Sequence, residues 1–278
     1  MIVTAPASSA NLGPGFDCLG LALDLPFELT ADTPGADGWL ALEPTHPAAV
    51  AFAAAGGTPA RALWWRSPIP PGRGMGFSGA ARVAGAYLAG RLDELDHEVA
   101  RDGARLVATR LEGHPDNAAA SALGGMTAAA ADEAVRVPVP DDLSLLLWWP
   151  ERSTSTDASR RVLAEQVPLD VAADSIGRAA LWVAAMAVGR TDVLRVACED
   201  RLHQPGRLAL RPDSTGAMEA MLAEPRVLAA WLSGSGPTVA ALVARDAELS
   251  SLEAVLDRDG RTRRLGLSST GVRAIDNS

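Results

Sequence analysis

Apolar runs divide the 278-residue chain into short extended segments, separated by alanine-rich stretches with helical spacing. The opening segment, MIVTAPASSANLGPGFDCLGLALDLPFELTAD, predicts a short strand, a Pro/Ser/Gly loop, and a strand pair around 19–25 and 27–31. GWLALEP and ALWWRSPIP predict two more strands with a short alanine-rich helix between them. A glycine-rich turn at 72–76 then runs into a helix over 78–90, whose small residues share one face. DELDHEVARDGARLVATRLEG predicts one or two helices, and HPDNAAASALGGMTAAA a loop, a short helix and a Gly-Gly turn into a strand.

Prolines and acids in DEAVRVPVPDDL mark a domain junction, dividing the chain into 1–138 and 139–278. The second half opens with the apolar strand LSLLLWWP. Helices follow around DASRRVLAEQV, SIGRAALWVAAMAVG and DVLRVACEDRLHQ. VLAAWLSGSGPTVAALVA predicts a strand, a Gly/Ser turn, then a strand or helix. The last forty residues predict an acidic helix and a polar tail. The pattern is that of a two-lobed α+β protein.

Composition narrows the chemistry. Apolar residues at 48% and charged ones at 21% describe an ordinary globular chain. A net charge of −9 argues against nucleic acid or an anionic membrane as partner, although a local group of arginines still suits a small anion. Lysine is absent throughout. That removes the Walker-type phosphate loop and any Schiff-base mechanism. The first residues lack the basic start and apolar run of a signal peptide, and no apolar run reaches the length of a membrane span, so a cytoplasmic protein is expected. Cys18 and Cys198 are widely separated and have no metal-like spacing.

Four stretches carry candidate chemistry. In GRGMGFSGAA, Gly72, Gly74 and Gly76 permit close backbone approach, and Ser78 lies where the helix begins. Free N–H groups and the helix dipole make an anion site there without lysine, although a plain loop with a serine cap explains the stretch equally well. EGHPDN gathers Glu112, His114, Asp116 and Asn117. Carboxylates beside an amide bind a divalent cation, position a hydroxyl or accept its proton; the alternative is a helix cap with a solvated Glu. LSGSGPTV is either a tight turn or a second backbone approach to a ligand. SSANLGPGFDCLG places Asn11 and Asp17 on a loop flanked by apolar strands, where a ligand contact and a plain turn both fit.

Taken together and in this order, the four stretches resemble the GHMP kinases, the family of galactokinase, homoserine kinase and mevalonate kinase. Within it, the opening PASSANLGPGFD, the HPDN and the later DRLHQPGR are similar to the homoserine kinase branch. The resemblance implies a two-lobed fold with a left-handed β-α-β unit in the first lobe and a ferredoxin-like α/β sandwich as the second. It implies transfer of the γ-phosphoryl of ATP to the side-chain hydroxyl of L-homoserine, a step toward threonine. Pro71, Gly72, Arg73, Gly74, Met75, Gly76, Phe77, Ser78, Gly79 and Ala80 match the ATP loop. Ser78 and Glu112 match the Mg²⁺ ligands. Asn11, Asp17, Asn117, Arg160, Arg207 and Gly234 match the substrate site, with Asp17 on the ammonium and the arginines on the carboxylate. Arg161 competes with Arg160 for its role.

Catalysis then falls to Ser78, Asn117 and Asp116, the last being the one proton acceptor available. Alignment and charge neutralisation are expected to carry most of the rate. The resemblance also implies a homodimer as one assembly. The loop departs from the family pattern at Met75 and at Phe77, which replaces a hydroxyl with bulk, and Gly206 stands where an aromatic is common. Residues 30–67 offer no adenine-contact signature. Two competing readings remain: a kinase of another hydroxy acid such as threonine or pantoate, and a sensor that binds without turnover. Asp17 favours an amine-bearing substrate over pantoate.

Overall fold

The structure, a computed structural model, describes residues 1–35, 38–151 and 159–275. The first sheet is built on β1 (Ile2–Ala10) and β2 (Leu19–Thr30), an antiparallel pair. The predicted strand pair at 19–25 and 27–31 is one strand. Its ladder with β1 skips between Pro6 and Ala7, so Pro26 sits at an irregularity where a lost N–H costs little. The C-terminal half of β2 pairs with β4 (Trp64–Arg66), which pairs with β3 (Leu40–Ala41). Its N-terminal half pairs with β5 (Met126–Ala130), which pairs with β6 (Glu133–Val137).

Four helices cover this sheet. They are α1 (Pro47–Ala54), α2 (Phe77–Leu92), α3 (His97–Glu112) and α4 (Asp116–Leu123). α2 is buried almost all round, which its small residues permit. It packs against α1, α3, α4 and both long strands.

The second sheet holds β7 (Leu143–Trp149), β8 (Val227–Leu232), β9 (Val239–Ala244) and β10 (Arg261–Gly266), in the order β10-β7-β9-β8. All its pairings are antiparallel. With helices between β7 and β8 and between β9 and β10, this is the ferredoxin-like arrangement. β7 is apolar except for the buried Ser144, because both its faces are covered. Leu145 and Leu147 join the core shared with the first sheet, whereas Leu146 and Trp148 face α8 (Pro212–Ala223) and α9 (Ser250–Leu256). The chain ends by crossing back, with β11 (Arg273–Ile275) pairing with β1. The acidic helix expected in the last forty residues is α9, whereas Arg261–Gly266 and Arg273–Ile275 form strands where a polar tail is expected; RTRRLG is mostly exposed, which hides its strand character behind arginines. Residues 276–278 of that tail lie outside the described residues.

The long connection from β7 to β8 carries α5 (Leu169–Val188), α6 (Leu194–Ala197) and α7 (Gln204–Leu208). Contrary to expectation, α5 is long and apolar enough to cross a membrane. It nevertheless carries the Arg178–Asp174 pair at 2.8 Å, and it buries Trp182, Ala185 and Met186 in the core. The helix expected over 192–204 is broken in two. The buried Asp200 carboxylate accepts from the N–H groups of Leu202, His203 and Gln204 at 2.7–2.9 Å, starting a new helix. The helix expected over 157–167 begins outside the described residues; past Arg160 the chain runs in turns, with the Val162 carbonyl against Gly206.

The two lobes meet at Trp231 of β8. It is fully buried, lies edge-on to Trp182 at 5.9 Å, and donates Nε1–H to Ser9 Oγ of β1 at 2.9 Å. Replacing it by Ala is expected to cost about 3–5 kcal/mol of unfolding free energy in urea titrations. A loss below about 1 kcal/mol would show that this contact does not join the lobes.

Candidate active site

The glycine turn between β4 and α2 takes a left-handed path: φ is 67°, 75° and 66° at Gly72, Gly74 and Gly76. Glycine enters this region without the Cβ penalty. The second lobe fixes the shape of the turn. Ser233 Oγ donates to the Gly74 carbonyl at 2.6 Å, and Thr238 N–H to the Arg73 carbonyl at 3.3 Å. Ser8 N–H of β1 donates to the Met75 carbonyl at 3.2 Å. With three successive carbonyls held by the protein, the turn offers its amide edge to a ligand. Gly76 is the N-cap of α2 and no side chain caps that helix, so the first-turn N–H groups keep the favourable end of the helix dipole for an anion.

A cavity of about 470 Å³ opens beside this turn, within the range of small-molecule sites. Residues 72–78 line it; Pro71, Gly79 and Ala80 do not. Gly79 and Ala80 are instead buried in α2, where a Cβ on Gly79 would crowd Asn117 of α4. Phe77 forms part of the cavity wall, but its ring also lies edge-on to Trp65, Phe27 and His46, each at 5.7 Å. The bulk that the sequence leaves unexplained belongs to this aromatic cluster. Burial holds the His46 imidazole down at about 4, so it stays neutral there.

On the far side of the turn, Ser78 Oγ donates to Glu112 Oε1 at 2.6 Å, and Arg82 Nη1 reaches the same oxygen at 2.5 Å. Glu112 Oε2 is buried with no hydrogen-bond partner among the described residues. A buried carboxylate oxygen left open beside a hydroxyl fits a divalent cation. Arg82 has no counterpart in the sequence expectations; its only signal is helical spacing from Ser78.

α4 begins at the floor of the cavity. The buried Asp116 Oδ1 accepts from Asn117 N–H at 2.7 Å and from His114 Nδ1 at 2.6 Å. Burial lowers the His114 pKa, but the hydrogen bond and charge of Asp116 outweigh it and leave it above the ordinary imidazole value. Ser8 Oγ donates to Asn117 Oδ1 at 2.9 Å, which turns the amide nitrogen of Asn117 toward Asp116 at 3.4 Å. One oxygen each from Asp17 and Asp116 and one nitrogen from His114 lie within 4.8 Å of each other. His114, which taken alone is a structural hydrogen-bonder, is thus part of the site.

The loop after β1 supplies the opposite end. Asn11 and Asp17 have φ of 71° and 55°, a conformation Asn and Asp tolerate better than most residues. Asn11 Nδ2 donates to the Gly234 carbonyl at 2.9 Å, and its Oδ1 accepts from Asp17 N–H at 3.1 Å. Arg160 grips Asp17 through two bonds of 2.8 and 3.2 Å. Arg207, 2% exposed, donates to the Ser159 and Gly234 carbonyls at 3.2 and 3.1 Å. Both guanidinium groups sit over Phe16, at 5.7 and 5.4 Å from its centroid. Arg160, not Arg161, lines the cavity. The residues expected at substrate (Asn11, Asp17, Asn117, Arg160, Arg207 and Gly234) therefore share one cavity with the glycine turn and with Glu112 and Asp116.

Comparison with known proteins agrees with this geometry. The sequence profile of the GHMP kinases N terminal domain matches residues 45–125, and that of the GHMP kinases C terminal matches 185–261. The homoserine kinase of Thermus thermophilus is 41% identical over 94% of both chains. That of Streptomyces coelicolor is 36% identical over 98% of this chain and 94% of its own. In structure, the chain is similar to the homoserine kinase of Cytophaga hutchinsonii, with a TM-score of 0.82 at 23% identity, covering 99% of this chain and 97% of the other. A mevalonate kinase from Methanococcus jannaschii shares the fold with a TM-score of 0.68 at 13% identity, over 96% and 98% of the two chains. The glycine turn, the acidic floor and the charged loop thus lie in a fold known from such enzymes, and the chain belongs to the homoserine kinase branch of the GHMP kinase family, ATP-dependent kinases of small molecules.

Proposed function

We propose that the protein transfers the γ-phosphoryl of ATP to the side-chain hydroxyl of L-homoserine, giving O-phospho-L-homoserine. The observation that carries this reading is the pairing of an acid with two guanidinium groups in the cavity that also holds the glycine turn. A zwitterionic α-amino acid needs one acid for its ammonium and a guanidinium fork for its carboxylate. Asp17 supplies the first, and Arg160 and Arg207 the second. Asn11 and Gly234 shape this end, and Asn117 holds the hydroxyl near the phosphate turn. Residues 72–78 hold the ATP phosphates by backbone N–H groups. Ser78 and Glu112 are the residues that would hold Mg²⁺, which when bound neutralises phosphate charge.

Of the carboxylates that line the cavity, Asp17 is assigned to the ammonium and Glu112 to the cation, which leaves Asp116 among the described residues to take the hydroxyl proton. Its Oδ1 is already committed to His114 and to the Asn117 N–H. That occupancy favours a mechanism in which alignment and charge neutralisation supply most of the rate. We propose a division of the chain at 1–138 and 139–278, supported by the separation of β1–β6 and β7–β10 into two sheets, with β11 returning to the first. We propose a cytoplasmic protein that forms a homodimer, the dimer being supported by the exposed apolar residues Leu169, Ile176 and Val188 of α5. Sedimentation equilibrium checks the dimer: the expected mass is about twice that of a single chain, and a single-chain mass rules it out.

A coupled ADP-release assay over homoserine, threonine, pantoate and mevalonate tests the substrate. Turnover with homoserine and none with pantoate or mevalonate is expected; silence with all four would instead support a sensor. Asp116→Asn is expected to lower kcat by less than about 100-fold, at the low end of what loss of a proton acceptor costs. Complete loss of turnover with both substrates still bound would show that proton abstraction carries the rate.

A further inference from the structure

His203 lies outside the roles assigned so far, yet it touches both halves of the amino-acid end. It is 1% exposed and stands at the N-cap of α7. Its Nε2 is 2.8 Å from the Gly13 carbonyl, on the loop that carries Asn11 and Asp17. Its Nδ1 is 3.1 Å from Arg207 Nη1. Its ring leans on Phe16 at 5.2 Å, the same ring that supports both guanidinium groups.

These partners fix the tautomer. A carbonyl only accepts, so Nε2 carries the hydrogen; Asp200 Oδ2, 3.6 Å from the same nitrogen, is also an acceptor. A guanidinium only donates, so Nδ1 must keep its lone pair. The imidazole is therefore neutral, with hydrogen on Nε2. Burial acts in the same direction and lowers its pKa below the ordinary value; Asp200 opposes this and Arg207 reinforces it.

Arg207 is thereby held at three points: Nε on the Ser159 carbonyl, and Nη1 shared between the Gly234 carbonyl and His203. Its Nη2 has no hydrogen-bond partner among the described residues, and the residue lines the cavity. A buried guanidinium with one edge pinned and one edge open presents that open edge in a single orientation.

We propose that neutral His203 is a positioning residue for substrate recognition. It orients Arg207 toward the substrate carboxylate and ties that arginine to the Gly13 loop, setting the distance between the carboxylate-binding and ammonium-binding halves of the site. The proposal rests on the reading of Arg207 as a carboxylate ligand.

Steady-state kinetics of His203→Leu, His203→Asn, His203→Gln and Arg207→Ala, with unfolding temperatures, test it. In His203→Asn the side-chain oxygen occupies the place of Nδ1 and accepts from Arg207. In His203→Gln the amide occupies the place of Nε2 and leaves Arg207 without that acceptor. His203→Leu and His203→Gln are expected to raise the homoserine KM about tenfold or more, the cost of a hydrogen bond to a charged group. Their kcat and ATP KM should stay within about twofold, and His203→Asn should recover the homoserine KM to within about threefold. If the leucine variant does not fold, the Asn–Gln contrast carries the test alone. An unchanged homoserine KM in His203→Gln overturns the proposal. So does an Asn variant no better than Gln, or a uniform fall in kcat, both affinities and unfolding temperature. If Arg207→Ala leaves the homoserine KM unchanged, the carboxylate reading fails and the inference fails with it. A raised KM in Arg207→Ala beside normal values in every His203 variant overturns the inference alone.

Discussion

The rest of the site depends on a buried polar knot that holds the glycine turn in shape. Ser9 of β1 and Ser233 of the second lobe share a hydrogen bond of 2.7 Å. Trp231 donates to Ser9, and Ser233 donates to the Gly74 carbonyl. The Ser9, Ser233 and Trp231 side chains are fully buried, where an unmet hydrogen bond costs about 1–3 kcal/mol, so their bonds form together or not at all. Gly74 is required because a Cβ there would collide with the Ser233 carbonyl. A chain without lysine has no side-chain ammonium to reach for phosphate, so the direction of its backbone amides decides whether an anion is held. The knot sets that direction before any ligand arrives.

The same contact between lobes organises the amino-acid end, where the two arginines are held differently. Arg160 and Asp17 satisfy each other, and their side chains are 38% and 29% exposed. An ion pair so open to water is worth only about 0–1 kcal/mol, so an incoming zwitterion exchanges both partners at little cost. Arg207 is buried and pinned by three acceptors, which on the proposed reading makes it the fixed reference against which the substrate aligns. One cation yields and the other does not. This division suits a site that must admit a small zwitterion and then hold its hydroxyl within reach of the phosphate.

The parts of this arrangement legible in the sequence are those written in local chemistry. Alternating glycines before a helix, Asp and Asn at the start of α4, and apolar runs such as LSLLLWW each announce their conformation within a few residues. What stayed hidden is set by distant partners. The breaks between α6 and α7 come from a single carboxylate, Asp200, that captures three amides. β10 and β11 read as polar because their arginines face outward, and only their pairing with β7 and β1 makes them strands. Phe77 looks like an intruder in a phosphate loop until Trp65 and His46, brought in by the strand and helix of residues 46–66, pack against it. Arg82 lies in no motif, and His203 sits inside DRLHQPGR without the stretch showing what the imidazole does. Their roles appear only once Glu112 and Arg207 stand beside them.

The central claim is that a backbone shape, held by the second lobe, binds the nucleotide phosphates. Calorimetric titration of Mg²⁺·ATP and of L-homoserine into Gly74→Ala protein tests it most directly. The account predicts a loss of ATP affinity of at least about 100-fold, comparable to removing two net hydrogen bonds to a charged group, with homoserine still bound. ATP affinity within about twofold of the parent chain, which calorimetry resolves readily, would contradict it.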